Sequence, residues 1–219
     1  MTFTRRLRKW LQPDAKTARA ADERVVVLDT ETSGLDPAND QLLAIGAVSI
    51  VGAGIVLEDS FEAVLRSVPT GDKENVVIHG IGHEAQSSGI PAPEALAAFS
   101  AFVANAPCAG FHCDFDQVVL TQSATAAGVA LPLPRWLDLA QLAAALVPEG
   151  HRRGRRSLDD WLTVFEIDVV ARHNAAGDAL ATAELLLRLR ALAAAQRVFG
   201  FAGLVRLSQQ HRWLGSSSD

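Results

Sequence analysis

The sequence predicts an α/β fold: a mixed sheet, antiparallel over its first three strands and then extended by parallel strands, with helices flanking it. Three observations carry this reading. Val25 to Leu28 is an apolar, mostly β-branched run, the mark of a strand buried on both faces. Gln41 to Val51 and Ile55 to Arg66 are two further strand patterns joined by the short turn Gly52-Ala53-Gly54. From Ala92 onward helical spacing alternates with short apolar runs, the pattern of strands joined through helices.

Composition sets the limits. The chain has 219 residues, 49% of them hydrophobic, enough for a sizeable core and too apolar for a disordered chain. No apolar run is long enough to span a bilayer, and the basic opening from Met1 to Trp10 lacks the apolar stretch of a secretory signal, so no membrane is expected. Cys108 and Cys113 are too few for a disulfide framework and lack zinc-ligand spacing, which makes a reducing cytoplasm the expected location. The formal net charge of −5 argues against bulk electrostatic binding of nucleic acid. Any polyanion is left to a local site of metal ions and basic patches. The expected organisation is a basic N-terminal extension over 1–23, one domain over 24–198, and a C-terminal helical extension and tail over 199–219.

Taken in order, the leader places Leu7, Trp10 and Leu11 on one side of a helix among Arg5, Arg6, Arg8 and Lys9, until Pro13 interrupts. It suits a solvated helical extension packed by Trp10, or a segment that docks on the domain, a membrane surface or a nucleic-acid backbone. Ser33-Gly34-Leu35-Asp36-Pro37 supplies turn chemistry after the first strand. Residues 67–92 carry Pro69, Gly71, Gly80, Gly82, Gly89 and Pro91, an irregular section too long for mere connection. Ala92 to Asn105 is helical, with Leu96, Phe99 and Val103 on one face. Pro107 to Phe111 is a short strand, and Asp114 is expected to cap the helix that carries Val118, Val119 and Leu120. Trp136 to Leu146 passes from strand to helix, and Ser157-Leu158-Asp159-Asp160 opens another helix with a capping-box pattern. Trp136 and Trp161 are assigned to the core, and Asp138, Asp159 and Asp160 to capping and surface roles. Arg152, Arg153, Arg155 and Arg156 form a basic run that is either a solvated loop or a guide for a strand. Ala175 to Ala195 is the longest helix, apolar at Leu180, Leu185, Leu186, Leu187, Leu189 and Leu192, and Phe201 to Leu214 is the last amphipathic segment.

Chemistry concentrates on a few carboxylates. Asp29 and Glu31 stand two apart in an extended chain and so project to one side. Side-by-side carboxylates repel unless a cation lies between them, and oxygen-only ligands suit Mg²⁺ or Mn²⁺. The alternative is a pair of solvated loop acids. Asp116 follows an apolar strand at a helix entrance, and Asp178 sits early in the longest helix. Strand ends and helix starts gather at one edge of an α/β sheet, where ligands bind. Four carboxylates meeting there could hold two divalent ions about 4 Å apart, the geometry for in-line attack of water on a phosphodiester. His173 stands five residues before Asp178, and histidine is the residue type suited to accept a proton from water at working pH. His83, His112, His151 and His211 are assigned to surface or satisfied polar positions, His112 least securely because it lies four residues before Asp116.

Asp29-Thr-Glu31, the Phe115-Asp116 pair and His173-x-x-x-x-Asp178 together resemble the three motifs of the DEDDh branch of the DnaQ-like 3′–5′ exonucleases, the branch of the proofreading ε subunit of bacterial DNA polymerase III. The likeness runs from about Arg24 to Arg190 and takes in Ile45-Gly-Ala-Val48, Ile78-His-Gly-Ile81 and Ala176-Gly-Asp-Ala-Leu-Ala-Thr-Ala183. It implies an RNase H-like fold, with Asp29, Glu31, Asp116 and Asp178 as ligands of two Mg²⁺ or Mn²⁺ ions and His173 as general base. It places Thr32 and Leu35 against the terminal nucleotide and His79 in the loop that frames it. Thr30 and His112, beside the acids, are counted with the substrate-contacting residues. Two positions depart from the family. Phe111-His112 stands where relatives often carry His-Asn, and Ala44 stands where an acid is frequent.

The resemblance therefore implies a metal-dependent 3′–5′ exonuclease releasing nucleoside 5′-monophosphates from single-stranded or frayed DNA, with a polymerase or repair protein as possible partner. An RNA-directed relative and a non-catalytic partner-binding domain are the rivals. The complete five-residue set argues against the second, because a scaffold need not keep buried like charges.

Overall fold

A computed structural model describes residues 23–37, 39–67, 81–132, 135–147, 156–169 and 172–215. The expected leader (apart from Glu23), His79, His151, Arg152, Arg153 and Arg155 lie outside these residues, as do the side chains of His83 and His211. The strand opening at Val25 does not end with its apolar run. It continues as β1 (Val25–Thr32), so both Asp29 and Glu31 lie within the ladder. β2 (Leu42–Val51) and β3 (Gly54–Val64) pair antiparallel, as do β1 and β2, while β4 (Cys108–Gly110) and β5 (Trp136–Asp138) extend the sheet in parallel beyond β1. The order is β3-β2-β1-β4-β5, the mixed sheet that the sequence predicts.

Helices cover both faces. Among the described residues they are α1 (His83–Ser88), α2 (Ala92–Val103), α3 (Asp114–Ala126), α4 (Leu139–Leu146), α5 (Leu158–Val164), α6 (Ala175–Ala195) and α7 (Gly200–Gly215). The two-residue period of β1 divides the core. Val25 and Val27 join Val48, Ile50, Leu142, Trp161, Leu185, Leu189 and Phe201 on the side of α4 to α7. Val26 and Leu28 join Ile45, Ala47, Leu96, Phe99 and Leu120 on the side of α2 and α3. Val25 to Leu28 are at most 1% exposed, and burying each contributes roughly 1.5–3 kcal/mol. Phe201 and Leu204 of α7 are buried in the same cluster as α6. Among the described residues no helix is long and apolar enough to cross a membrane.

Several local expectations hold and others need correction. Ser157 and Asp160 form the capping box of α5, and Asp138 caps α4 by accepting from the Ala140 backbone NH at 2.9 Å. Asp114 does not cap α3. It is the first residue of that helix, and Cys113 at the cap position makes no side-chain capping bond. The section expected to be irregular contains α1, and Leu65 and Ile90 bridge across it. Leu192 is 37% exposed although Ala193 beside it is fully buried, and Trp136 is only partly buried.

One contact fixes how α6 lies on the sheet. A β-carbon added to Gly46 of β2 would stand 2.1 Å from the Ala175 carbonyl carbon and 2.2 Å from the Ala176 nitrogen. Backbone meets backbone here, and only glycine fits. Ala44, two residues earlier, is buried with Leu43, Ile81 and Ala175. Gly46→Ala should force the start of α6 outward and cost on the order of 2–3 kcal/mol. Gly54→Ala, whose β-carbon would meet nothing within 4 Å, should stay within about 0.5 kcal/mol of wild type. Urea unfolding of both variants checks this: equal midpoints would remove the contact from the account.

Candidate metal and nuclease site

The alternation that divides the core also sorts the polar end of β1. Asp29 and Glu31 follow Val25 and Val27 onto the α6 face. Opposite them in the ladder stand Gly46 and Ala44, the residues over which α6 begins. Asp178, in the first turn of α6, is thereby brought to Asp29 and Glu31. One carboxylate oxygen from each of the three lies within 4.8 Å of the others. A helix N-terminus carries partial positive charge and favours an acid in its first turn.

Thr30 points to the other face and meets α3. Its hydroxyl donates to Asp116 Oδ1 at 2.7 Å, so Asp116 is oriented by a strand neighbour instead of lying within the closest group. Asp116 is 5% exposed and near enough for its charge to act on Asp29. His112, before α3, holds a left-handed φ of 56°, and its backbone NH donates to Asp138 Oδ1 at 3.1 Å. Its ring packs edge-on against Phe111. Burial pushes the Cys108 thiol up to about 12 and raises Cys113 as well, so neither offers a thiolate to a metal.

Burial followed by the charges of Asp116, Asp178 and Glu31 raises the Asp29 carboxyl well above the usual range. Burial and then Asp178 push Glu31 up to about 7. Burial takes Asp116 to about 6, against hydrogen bonds led by that from Thr30. A crowded set of oxygen-only donors whose ionised forms are unfavourable suits a hard divalent cation, which would stabilise all of them together. The residues present fit Mg²⁺ or Mn²⁺.

Around this group the chain forms a lip. Thr32 Oγ1 donates to the Gly34 carbonyl at 2.6 Å, and Ser33 Oγ and the Asp36 NH both donate to Asp40. Leu35, 93% exposed, stands out from the lip. His173 is exposed at the start of α6 with a φ of 59°, and its backbone NH donates to Asp178 Oδ2 at 3.2 Å. The sequence reading passed over Arg172, which donates from Nε to Asp159 Oδ1 at 2.6 Å and from Nη1 to Asp178 Oδ1. Its position beside His173 was the available signal, overshadowed by the denser arginine run upstream. Asp159, assigned to the surface, is therefore also an ion-pair partner.

A family model described as Exonuclease matches residues 26–186. A DNA polymerase III subunit epsilon-like protein of Rhodobacter capsulatus is 29% identical over 192 residues, covering 85% of this chain and 26% of the relative. A DNA polymerase III PolC-type protein of Thermotoga maritima is 29% identical, covering 76% of this chain and 12% of the relative. The chain thus spans about a quarter or less of the length of these two relatives. In three dimensions E. coli Exonuclease I in complex with a dT13 oligonucleotide superposes with a TM-score of 0.67 at 18% identity, over 80% of this chain and 42% of that one. Exonuclease X in complex with 5′ overhanging duplex DNA gives 0.63 at 18% identity, over 84% of this chain and 98% of that one. The fold is RNase H-like.

The raised carboxylates set a pH dependence. Glu31 binds its proton more tightly when folded (about 7) than in its reference state (4.5). Its contribution to stability is therefore fully present below pH 4.5 and is lost as pH rises through about 7. In EDTA, the thermal midpoint of wild type relative to Glu31→Gln should fall by about 2–6 °C between pH 5 and pH 7.5. Added Mn²⁺ should raise the wild-type midpoint more at pH 7.5 than at pH 5. Scanning calorimetry reads both, and a flat difference between the two proteins would show that Glu31 is not crowded.

Proposed function

The chain belongs to the RNase_T exonuclease family, whose model spans residues 26–186, and from that membership we propose a DEDDh-type 3′–5′ exonuclease that trims single-stranded or frayed DNA ends. The observation that carries the reading is the convergence of Asp29, Glu31 and Asp178 within 4.8 Å, with Asp116 beside them and His173 on the solvent side. In this reading the four carboxylates would hold two Mg²⁺ or Mn²⁺ ions, which would offset charge developing on the phosphate and ease ionisation of the attacking water. His173 accepts that water's proton, a task suited to an exposed imidazole near neutral pH. The bond from phosphorus to the 3′-oxygen of the penultimate nucleotide breaks. The leaving 3′-oxygen takes a proton from solvent and becomes the 3′-hydroxyl of the shortened strand, and a nucleoside 5′-monophosphate leaves.

The remaining candidates act by position. Thr32 ties the lip, and Leu35 presents an apolar surface to the terminal base. Thr30 contributes by orienting Asp116, and His112 lines the same end of the sheet. His79 is assigned to the framing loop. DNA is favoured because the similar structures are described with a dT13 oligonucleotide and with duplex DNA. A polymerase or repair protein is the partner class that the relatives' names support. A cytoplasmic location belongs to the same reading.

An assay with 3′- and 5′-labelled oligonucleotides, DNA and RNA in parallel, tests this. Stepwise shortening from the 3′ end is expected with Mg²⁺ or Mn²⁺, and EDTA or Asp29→Ala should abolish it. His173→Ala should lower kcat by about 10²–10⁴-fold while leaving Mn²⁺ affinity within a few-fold. Internal cleavage, or activity surviving Asp29→Ala, would sink the mechanism. Equal losses of turnover and metal affinity would move His173 into the metal shell.

A further inference from the structure

Both oxygens of Asp178 are already engaged by the protein. Oδ2 accepts the His173 backbone NH at 3.2 Å, and Oδ1 accepts Nη1 of Arg172. The same guanidinium reaches outward from Nε to Asp159 Oδ1 at 2.6 Å. The two acids differ sharply in setting: the Asp178 side chain is 9% exposed and that of Asp159 is 60% exposed, with Arg172 at 24% between them. Arg172 thus has one end in the acidic group and the other on a solvent-facing acid of α5. Although burial dominates the upward shifts of Asp29 and Glu31, the Arg172 charge pulls both back down, so its field reaches the whole group.

A guanidinium cannot shed its proton at ordinary pH, so it cannot share this space with a divalent ion by becoming neutral. Two cations on one carboxylate repel strongly where water is scarce. The backbone NH of His173 is fixed by the start of α6, whereas the arginine side chain can swing. An exposed pair such as Arg172–Asp159 contributes little stability alone, but it gives the guanidinium a second partner on the solvent side.

Resting on the exonuclease reading above, we propose that Arg172 is a tethered counter-cation that competes with a divalent ion for Asp178, and that Asp159 is the carboxylate to which it withdraws. Arg172 holds the acidic group together until metal arrives and sets the threshold concentration at which metal enters. The two partners of one ion pair then have opposite effects. Removing Arg172 removes the competitor. Removing Asp159 removes the place of withdrawal and leaves the guanidinium on Asp178.

Calorimetric titration of Mn²⁺ into the metal-free full chain distinguishes the cases. Arg172→Gln should bind Mn²⁺ about 3–10-fold more tightly than wild type, and Asp159→Asn about 2–5-fold more weakly, as expected when only part of the population is competent to bind. A bridge that merely holds α5 to α6 would weaken binding in both variants or in neither, and unchanged or weaker binding by folded Arg172→Gln overturns the proposal. Should Arg172→Gln fail to fold, Arg172→Met takes its place with the same expectation, unchanged or weaker binding overturning the proposal; unchanged or tighter binding by Asp159→Asn overturns it as well. Asp29→Ala separates the two readings. Wild type that binds no Mn²⁺, or binding that survives Asp29→Ala, sinks the metal site itself. Binding lost with Asp29→Ala but not tightened by Arg172→Gln sinks the Arg172 proposal alone.

Discussion

The contact between Gly46 and the first turn of α6 is the constraint on which the rest of the site depends. Strand backbone and helix backbone touch at a distance that leaves no room for a β-carbon. Because Asp29 is the ladder partner of Gly46 and Glu31 that of Ala44, seating α6 there also sets its first turn beside both acids. The register of β1 against β2 and the approach of α6 are thus one placement. A slip of one residue in the ladder would turn Asp29 and Glu31 away from Asp178 altogether.

That placement creates an electrostatic problem which the surrounding residues only partly relieve. Three carboxylates share a space of a few ångströms, a fourth is buried nearby, and burial raises the pKa of Asp29, Glu31 and Asp116. Thr30 offsets part of the cost for Asp116, and Arg172 part of it for Asp178. Neither gives Asp29 or Glu31 a hydrogen-bonded partner. The polypeptide therefore tolerates a locally unfavourable charge set, as expected where a cation is meant to complete the arrangement.

Much of this was legible in the sequence because it rests on local pattern. Val25 to Leu28 announced a doubly buried strand, the helical spacing after Ala175 announced α6, and Ser157 with Asp160 announced a capping box. The pairing of Asp29 with Glu31 followed from the two-residue period alone. What escaped were relations between elements. Nothing near Thr30 says that α3 will bring Asp116 to it, although the same period that joins Asp29 to Glu31 sends Thr30 to the opposite face. Nothing in Ile45-Gly-Ala-Val48 says that a helix backbone will touch that glycine. Arg172 was hidden for a different reason. A single arginine beside a candidate catalytic histidine carries less pattern than a run of four, yet tertiary placement gave it two acidic partners. The cap at α3 was misread because Asp114 has the right chemistry one residue too late.

Two histidines explain how both helix-borne acids come to face the end of β1. His112 precedes α3 and His173 precedes α6, and each holds a left-handed backbone, with φ of 56° and 59°. Such a conformation costs a non-glycine residue on the order of 1 kcal/mol, so it persists only where the surroundings enforce it. Each turn is pinned at its own NH by an acid: His112 by Asp138, which also caps α4, and His173 by Asp178 itself. The sharp reversals let the chain enter each helix with its acid within the first turn, where unpaired backbone NH groups favour negative charge. The strain is local and the return is positional. Asp116 and Asp178 approach the same strand end from opposite faces of the sheet, and the Asp178 turn leaves the His173 side chain outside, open to solvent.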